Sequence, residues 1–240
     1  MLIAVVGDCL LDVMVRPEGP MRAGGDTPAR IRLGPGGQGA NVAVRLARRG
    51  ASVRLISPMA DDLGARLLRD ALDRDAVNLA TLAAPRTGSV IALLDAAGER
   101  TMASDRVTLD AAALPELLED ADWIHVSGYA LRDASAERVA SVLAARPAGA
   151  RLSIGGGHVP PDRAATRSFI GYVEQARPDL LLLAATEAAA LLDVKDETAA
   201  PLAVSIAARQ PSTMVIVTAG SEGSVAAGAG LEASVAVAGL

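Results

Sequence analysis

The sequence predicts an α/β fold with a mostly parallel sheet, and three observations carry that expectation. Short, continuous apolar runs such as Leu2-Ile3-Ala4-Val5-Val6-Gly7 and Leu180-Leu181-Leu182-Leu183 recur along the chain, as strands buried on both faces do. They alternate with segments of helical spacing, the pattern of strands joined by crossover helices. Glycines and carboxylates collect just after several of the runs, where open α/β sheets bind ligands.

Composition narrows the function. The 240 residues have ample length for one large domain, with 51% hydrophobic but only 2% aromatic residues, so the core must be Leu, Val, Ile and Ala. Few aromatics argue against base-stacking platforms, and a net charge of -5 argues against a phosphate-backbone binder. Cys9 is the one cysteine, so no internal disulfide forms, and with His125 and His158 as the two histidines a structural zinc site is not expected. The apolar start meets Asp8 and Asp12 at once and lacks a basic leader, which points to neither a signal peptide nor a membrane span and makes the cytoplasm the expected location.

The first strand is Leu2–Gly7, with Asp8 and Asp12 beyond its carboxyl end. From Val13 to Leu33 prolines and glycines leave room only for short strands near Val13–Val15 and Ala29–Leu33, at an edge or in a flap. Gly34-Pro35-Gly36-Gly37-Gln38-Gly39-Ala40-Asn41 is a glycine-rich loop feeding a helix. Small or apolar residues at 40, 43, 44 and 47 make its buried stripe, Arg45, Arg48 and Arg49 lie off it, and Gly50 ends it. Without Cβ atoms the loop admits close approach of a ligand, so a small polar ligand is expected at the helix entrance, with Asn41 offering a donor and an acceptor.

A strand at Val53–Ser57 follows, then a helix from Asp61-Asp62-Leu63-Gly64 through Leu72, with Asp62 as N-cap. Asp8 and Asp61 also read most simply as turn or cap residues. Asn78–Leu82 is a short strand. Ser89–Asp95 and Arg100–Ser104 form an antiparallel hairpin about Ala96-Ala97-Gly98-Glu99, and with the 13–33 region it makes a small lid. Helices near 111–119 and 135–145 flank a strand at Trp123–Ser127. The strand Arg151–Ile154 ends in Gly155-Gly156-Gly157, before a helix from Asp162 to Gln175. Thr186 is expected to cap the helix carrying Glu187. A helix at 201–209, a strand at Met214–Thr218, the turn Ala219-Gly220-Ser221-Glu222-Gly223 and a hairpin of Ser224–Ala227 with Ala233–Val237 complete the pattern.

Elimination leaves few chemistries. Lys195 is the only lysine and no G-K-[ST] occurs, so a Walker loop is absent. There is no G-x-S-x-G elbow, and Gly7-Asp8-Cys9-Leu10-Leu11-Asp12 lacks the glycines of a dinucleotide fingerprint. Asp12, Gly36, Gly37 and Asn41 fall close together if the sheet assembles in this order. A carboxylate and an amide that accept from hydroxyls, beside glycine backbone that leaves room for a ring, suit a polyol.

Gly7-Asp8 through Asp12, Gly36 to Asn41, Asp61 to Gly64, Thr87-Gly88, Gly98-Glu99-Arg100 and Thr218 to Gly223 occur in an order that resembles the ribokinase-like (PfkB) family of carbohydrate and nucleoside kinases. The resemblance implies one ribokinase-like domain over 1–240, a three-layer α/β/α core with lid strands from about 13–33 and 86–104. It also implies transfer of a phosphoryl group from ATP to a sugar hydroxyl. By resemblance Asp12, Gly36, Gly37 and Asn41 hold the sugar, Thr218, Gly220 and Gly223 the nucleotide, and Glu187 a magnesium ion and phosphate. The lid of such proteins often mediates a homodimer.

Two departures stand beside it. The N-x-x-E motif becomes Ala184-Ala185-Thr186-Glu187, and the G-A-G-D segment that carries the anion hole and catalytic aspartate does not follow the last hairpin, where Val237-Ala238-Gly239-Leu240 stands. The domain is therefore expected to be incomplete at its C-terminus and the chain by itself impaired in transfer, since a base contributes roughly 10²–10⁴-fold. Two readings follow: a sugar or nucleoside kinase, and a non-catalytic sugar-binding or scaffold protein derived from one. His125 and His158 read as structural, and Tyr129 and Arg100 as residues near the substrate.

Overall fold

The computed structural model describes residues 1–95, 97–157, 162–228 and 231–235. In chain order its elements are β1 (Leu2–Val6), β2 (Leu10–Pro17), β3 (Ala29–Gly36), α1 (Gln38–Arg48), β4 (Ser52–Met59), α2 (Leu63–Arg74), β5 (Asn78–Ala83), β6 (Ser89–Leu94) and β7 (Arg100–Asp105). They continue with α3 (Leu114–Leu118), β8 (Trp123–Val126), α4 (Ala136–Ala144), β9 (Arg151–Gly155), α5 (Arg163–Ala176), β10 (Leu180–Ala184), α6 (Ala185–Leu192), α7 (Ala199–Arg209), β11 (Met214–Thr218), β12 (Ser224–Gly228) and β13 (Leu231–Val235). His158, Ala96 in the hairpin turn, and Val237 with the residues after it lie outside the described residues.

The chain divides into two compact units, Met1–Val6 with Ala111–Leu240, and Gly7–Asp110. In the first unit the strand order is β13-β12-β11-β10-β9-β8-β1. β1, β8, β9, β10 and β11 run parallel, and β12 and β13 return antiparallel. Val5, Val6, Ile124, Val126, Leu152, Ile154, Val215 and Val217 are all fully buried, which explains the near-continuous apolar runs. The chain's single phenylalanine, Phe169 on α5, is buried too, and aliphatic side chains supply the rest of the core.

In the second unit β4 and β5 pair in parallel, and β3-β2-β6-β7 forms a separate four-stranded sheet. Its central β2–β6 pair is parallel and both outer pairs are antiparallel. Here β2 and β3 are longer than the prolines and glycines suggested. Glycines end β3 rather than break it, and Pro35 lies on the edge strand opposite Leu11, whose N–H turns to Gly88 instead, so the proline nitrogen faces away from the ladder. Of the stripe expected for α1, Ala40 and Ala43 are buried and Val44 and Ala47 half-buried, with Gly39 buried as well, and α2 buries Ala65, Leu68, Ala71 and Leu72.

Asp62 caps α2: its Oδ1 accepts from the Ala65 N–H at 2.8 Å and its Oδ2 from the Thr87 N–H at 2.9 Å, next to the start of β6. Thr186 does not cap α6. The N-cap is Ala184, Thr186 lies inside the first turn, and Glu187 accepts from the Ala184 N–H at 2.8 Å, the returning half of a capping box. The last strand begins at Leu231, two residues before the expected position.

Candidate active site

Two groups of predicted residues form, one within each unit. In the second unit Asp12 is not a turn residue beyond β1. It lies within β2, between Gly34 of β3 and Val90 of β6, and faces the end of β3. A Cβ added at Gly36 would fall inside the Asp12 carboxylate, so only glycine lets the two approach. Gly37 follows as the N-cap of α1 with φ 89°, where a side chain would be strained and its Cβ would stand 2.6 Å from the Asp8 carbonyl oxygen. Asn41 lies one turn into α1, with its N–H on the Gly37 carbonyl at 3.0 Å and its side chain exposed. Asp12, Gly36, Gly37 and Asn41 thus come together.

The helix entrance itself is occupied. Asp8 Oδ1 accepts from the Gln38 N–H at 3.1 Å and the Gly39 N–H at 3.4 Å, and the Asp8 carbonyl accepts from the Ala40 N–H at 3.1 Å. The first-turn donors that sequence reasoning left for a ligand are therefore capped by Asp8, some 30 residues upstream. Arg106 forms an ion pair with Asp8. The sequence read Asp8 as a turn or cap residue without naming the helix it caps, and it missed Arg106. An aspartate that caps a distant helix leaves no local spacing, and Arg106 follows β7 without a motif.

The Asp12 carboxyl is held above its ordinary pKa, first by burial and then by the neighbouring Asp8 charge, with Arg106 and Arg100 opposing. Cys9 is buried, and burial first, then Asp8 and Asp12, push its thiol up to about 12, so it is an inert core residue.

In the first unit Glu187, Gly156, Gly157, Tyr129 and Arg132 gather beyond the carboxyl ends of β8, β9 and β10. A Cβ at Gly156 would overlap the Glu187 carboxylate. Arg132 donates from Nη2 to the Gly157 carbonyl at 2.6 Å and lies over the rings of Phe169 and Tyr129, 5.0 and 5.9 Å from their centres. Its pKa is lowered by burial, while the charge of Glu187 acts to raise it. Arg132, absent from any motif, was the second residue the sequence did not disclose.

Thr218 pairs with Ala184 across β10 and β11, and its Oγ1 donates to the Leu183 carbonyl at 3.4 Å. Gly220 and Gly223 have φ 55° and 102°, and open space surrounds the position of a Gly220 Cβ. Thr218, Gly220 and Gly223 therefore share one turn beside the start of α6. His125 is buried in β8, with Nδ1 2.9 Å from Ser153 Oγ and Nε2 unpartnered, and Arg100 lies exposed on β7. Among the described residues no group of three or more His, Cys, Asp or Glu side chains could cage a metal. No described helix is long and apolar enough to cross a membrane.

The fold and the loop between β3 and α1 define a class, the ribokinase-like kinases. The chain matches the pfkB family carbohydrate kinase model over residues 1–238, and it belongs to that family. It is 34% identical over 134 residues to a fructokinase of Klebsiella pneumoniae, covering 53% of this chain and 40% of that protein. The chain thus spans well under half the length of that relative. Among solved structures, fructokinase with bound ATP from Xylella fastidiosa superposes with a TM-score of 0.78 at 20% identity, over 98% of this chain and 77% of that one. Ribokinase from Thermotoga maritima does so with a TM-score of 0.79 at 18% identity, over 100% and 79%. At these identities the likeness is one of fold.

Proposed function

We propose that this chain serves ATP-dependent phosphoryl transfer to a hydroxyl of a sugar or related polyol, with the polyol held by Asp12, Gly36, Gly37 and Asn41. The observation that carries the reading is the glycine at 36, whose missing Cβ makes room for the Asp12 carboxylate against the loop that leads to Asn41. The carboxylate accepts hydroxyl hydrogens, the Asn41 amide offers one donor and one acceptor, and the glycine backbone admits a ring edge-on. Membership of the pfkB family and the fructokinase relative support a sugar as ligand.

The turn of Thr218, Gly220 and Gly223 is the proposed ATP contact, and the ATP-bound neighbour supports ATP as the phosphoryl donor. Mg²⁺ usually keeps several waters and is bound through one or two carboxylates and nucleotide phosphates, so the lone Glu187 suits an ion that arrives with ATP. Bound there, the ion would neutralise phosphate charge. Arg132 adds a fixed cation beside Glu187. A cytoplasmic location fits the use of ATP and the single buried cysteine.

We read the four-stranded sheet as the lid of a single ribokinase-like domain, and its face with exposed Ile31, Leu33 and Ile91 supports a homodimer through it. Ala184 in place of asparagine favours the second reading, a polyol binder with little transfer of its own.

Titration calorimetry against a panel of sugars and nucleosides, paired with an ADP-release assay, separates the two readings. Binding with turnover supports the kinase, and binding without turnover supports the binder. Asp12→Ala is expected to abolish polyol binding in either case, and an unchanged affinity would remove Asp12 from the site.

A further inference from the structure

The four-stranded sheet has two unlike faces. Register places Gly34, Asp12, Val90 and Ser104 on one rung, and the same face carries Arg32 beside Met14, and Arg16 beside Arg30. Val15 pairs with Leu93 and Leu94 with Arg100, which sets Arg100 at the level of Arg16. Arg16, Arg30 and Arg100 therefore share the outer rung, four residues or about 13 Å from Asp12, with Arg32 between. Among the described residues of these strands, Asp12 is the one carboxylate on this face. The opposite face carries Val13, Val15, Ile31, Leu33, Ile91 and Leu93.

These arginines are exposed and make no hydrogen bond or ion pair within the described residues, whereas Arg48, Arg86 and Arg106 are each paired to an aspartate. Arg16 stands directly opposite Arg30, and like charges facing across a sheet are destabilising. Guanidinium forks suit phosphate and carboxylate oxygens. Arg100 already acts electrostatically on Asp12, so charge on the arginine face is felt at the polyol residues.

We propose that the polyol bound at Asp12 carries an anionic group, phosphate or carboxylate, at the end remote from Asp12, and that Arg32 and the rung of Arg16, Arg30 and Arg100 select it. The inference rests on the polyol reading of Asp12. A flexible arginine extends several ångströms from its strand, so the 13 Å between rungs spans a monosaccharide plus one such substituent.

The test is titration calorimetry of the whole chain with fructose, fructose 6-phosphate and gluconate at physiological ionic strength, repeated on Arg16→Gln/Arg30→Gln and on Asp12→Ala. The native chain is expected to bind one acidic sugar at least about tenfold more tightly than fructose. The double variant should lose that preference while keeping its fructose affinity and its thermal melt. The two acidic probes distinguish phosphate from carboxylate. Equal affinity for neutral and acidic sugars, or a preference that survives in the double variant, overturns the inference and leaves the polyol site standing if fructose binding still depends on Asp12. Absence of binding by all three sugars overturns both.

Discussion

A methyl group at residue 36 would have no place to go, because the Asp12 carboxylate occupies the position of the missing Cβ. Gly36→Ala is expected to cost about 1–3 kcal/mol of stability through overpacking, read by urea unfolding, and to remove polyol binding along with it. His125 offers a test by pH. Burial depresses its pKa from 6.5 to about 4 in the folded chain, so between those values the unfolded chain binds more protons. Its neutral form contributes fully to stability above about pH 6.5, and that contribution falls away as pH drops toward 4, on the order of 3 kcal/mol in all. In urea titrations at pH 7 and pH 5, His125→Asn should lose markedly less stability between the two than the native chain does. Equal losses would mean that the buried imidazole accepts its proton without cost.

Among the elements, α2 shows how one cap can join distant parts of a unit. Asp62 holds the first turn of the helix with one oxygen and the approach to β6 with the other, and the two bonds depress its carboxyl pKa. Asp62→Ala should lower stability by about 1–2 kcal/mol, a helix cap and a little more, whereas Asp61→Ala should stay within about 0.5 kcal/mol in the same chemical denaturation. Asp62 was legible in the sequence because its bond to Ala65 is local, three residues on. The bond to Thr87 was not, since no spacing encodes it. The same distinction runs through the rest of the chain. Strands with continuous apolar runs and helices with a clear buried stripe could be placed from sequence. What escaped was set by partners far along the chain: which helix Asp8 caps, Arg106 on Asp8, and Arg132 beside Glu187. Thr186 failed as a cap for a different reason. Glu187 already satisfies the Ala184 N–H, and the helix starts two residues earlier than a cap at Thr186 would need. Of the polyol residues, the glycines and Asn41 were visible as a motif, but only the register of β2 with β3 put Asp12 beside them.

For the whole molecule, the apolar face of the four-stranded sheet yields a measurable expectation. If two copies pair through it, Leu33→Glu should convert a dimer to a monomer in sedimentation velocity, with the melting temperature of the second unit little changed, because Leu33 is already 58% exposed. A native chain that sediments as a monomer would end the dimer reading. The division of the chain has a consequence of another kind. β1 leaves the ribosome before its neighbour in the first unit, β8, and all of Gly7–Asp110 is made between them. β2 and β6, by contrast, find each other wholly within that stretch. During synthesis the second unit can therefore settle before β8 is available to β1, and the pairing of β1 with β8 forms later. In pulse-labelled hydrogen exchange during refolding, amides of β2 and β6 should gain protection before those of β1 and β8. The β1–β8 pair, whose two strands are made more than 100 residues apart, would then be among the later contacts to be locked in place.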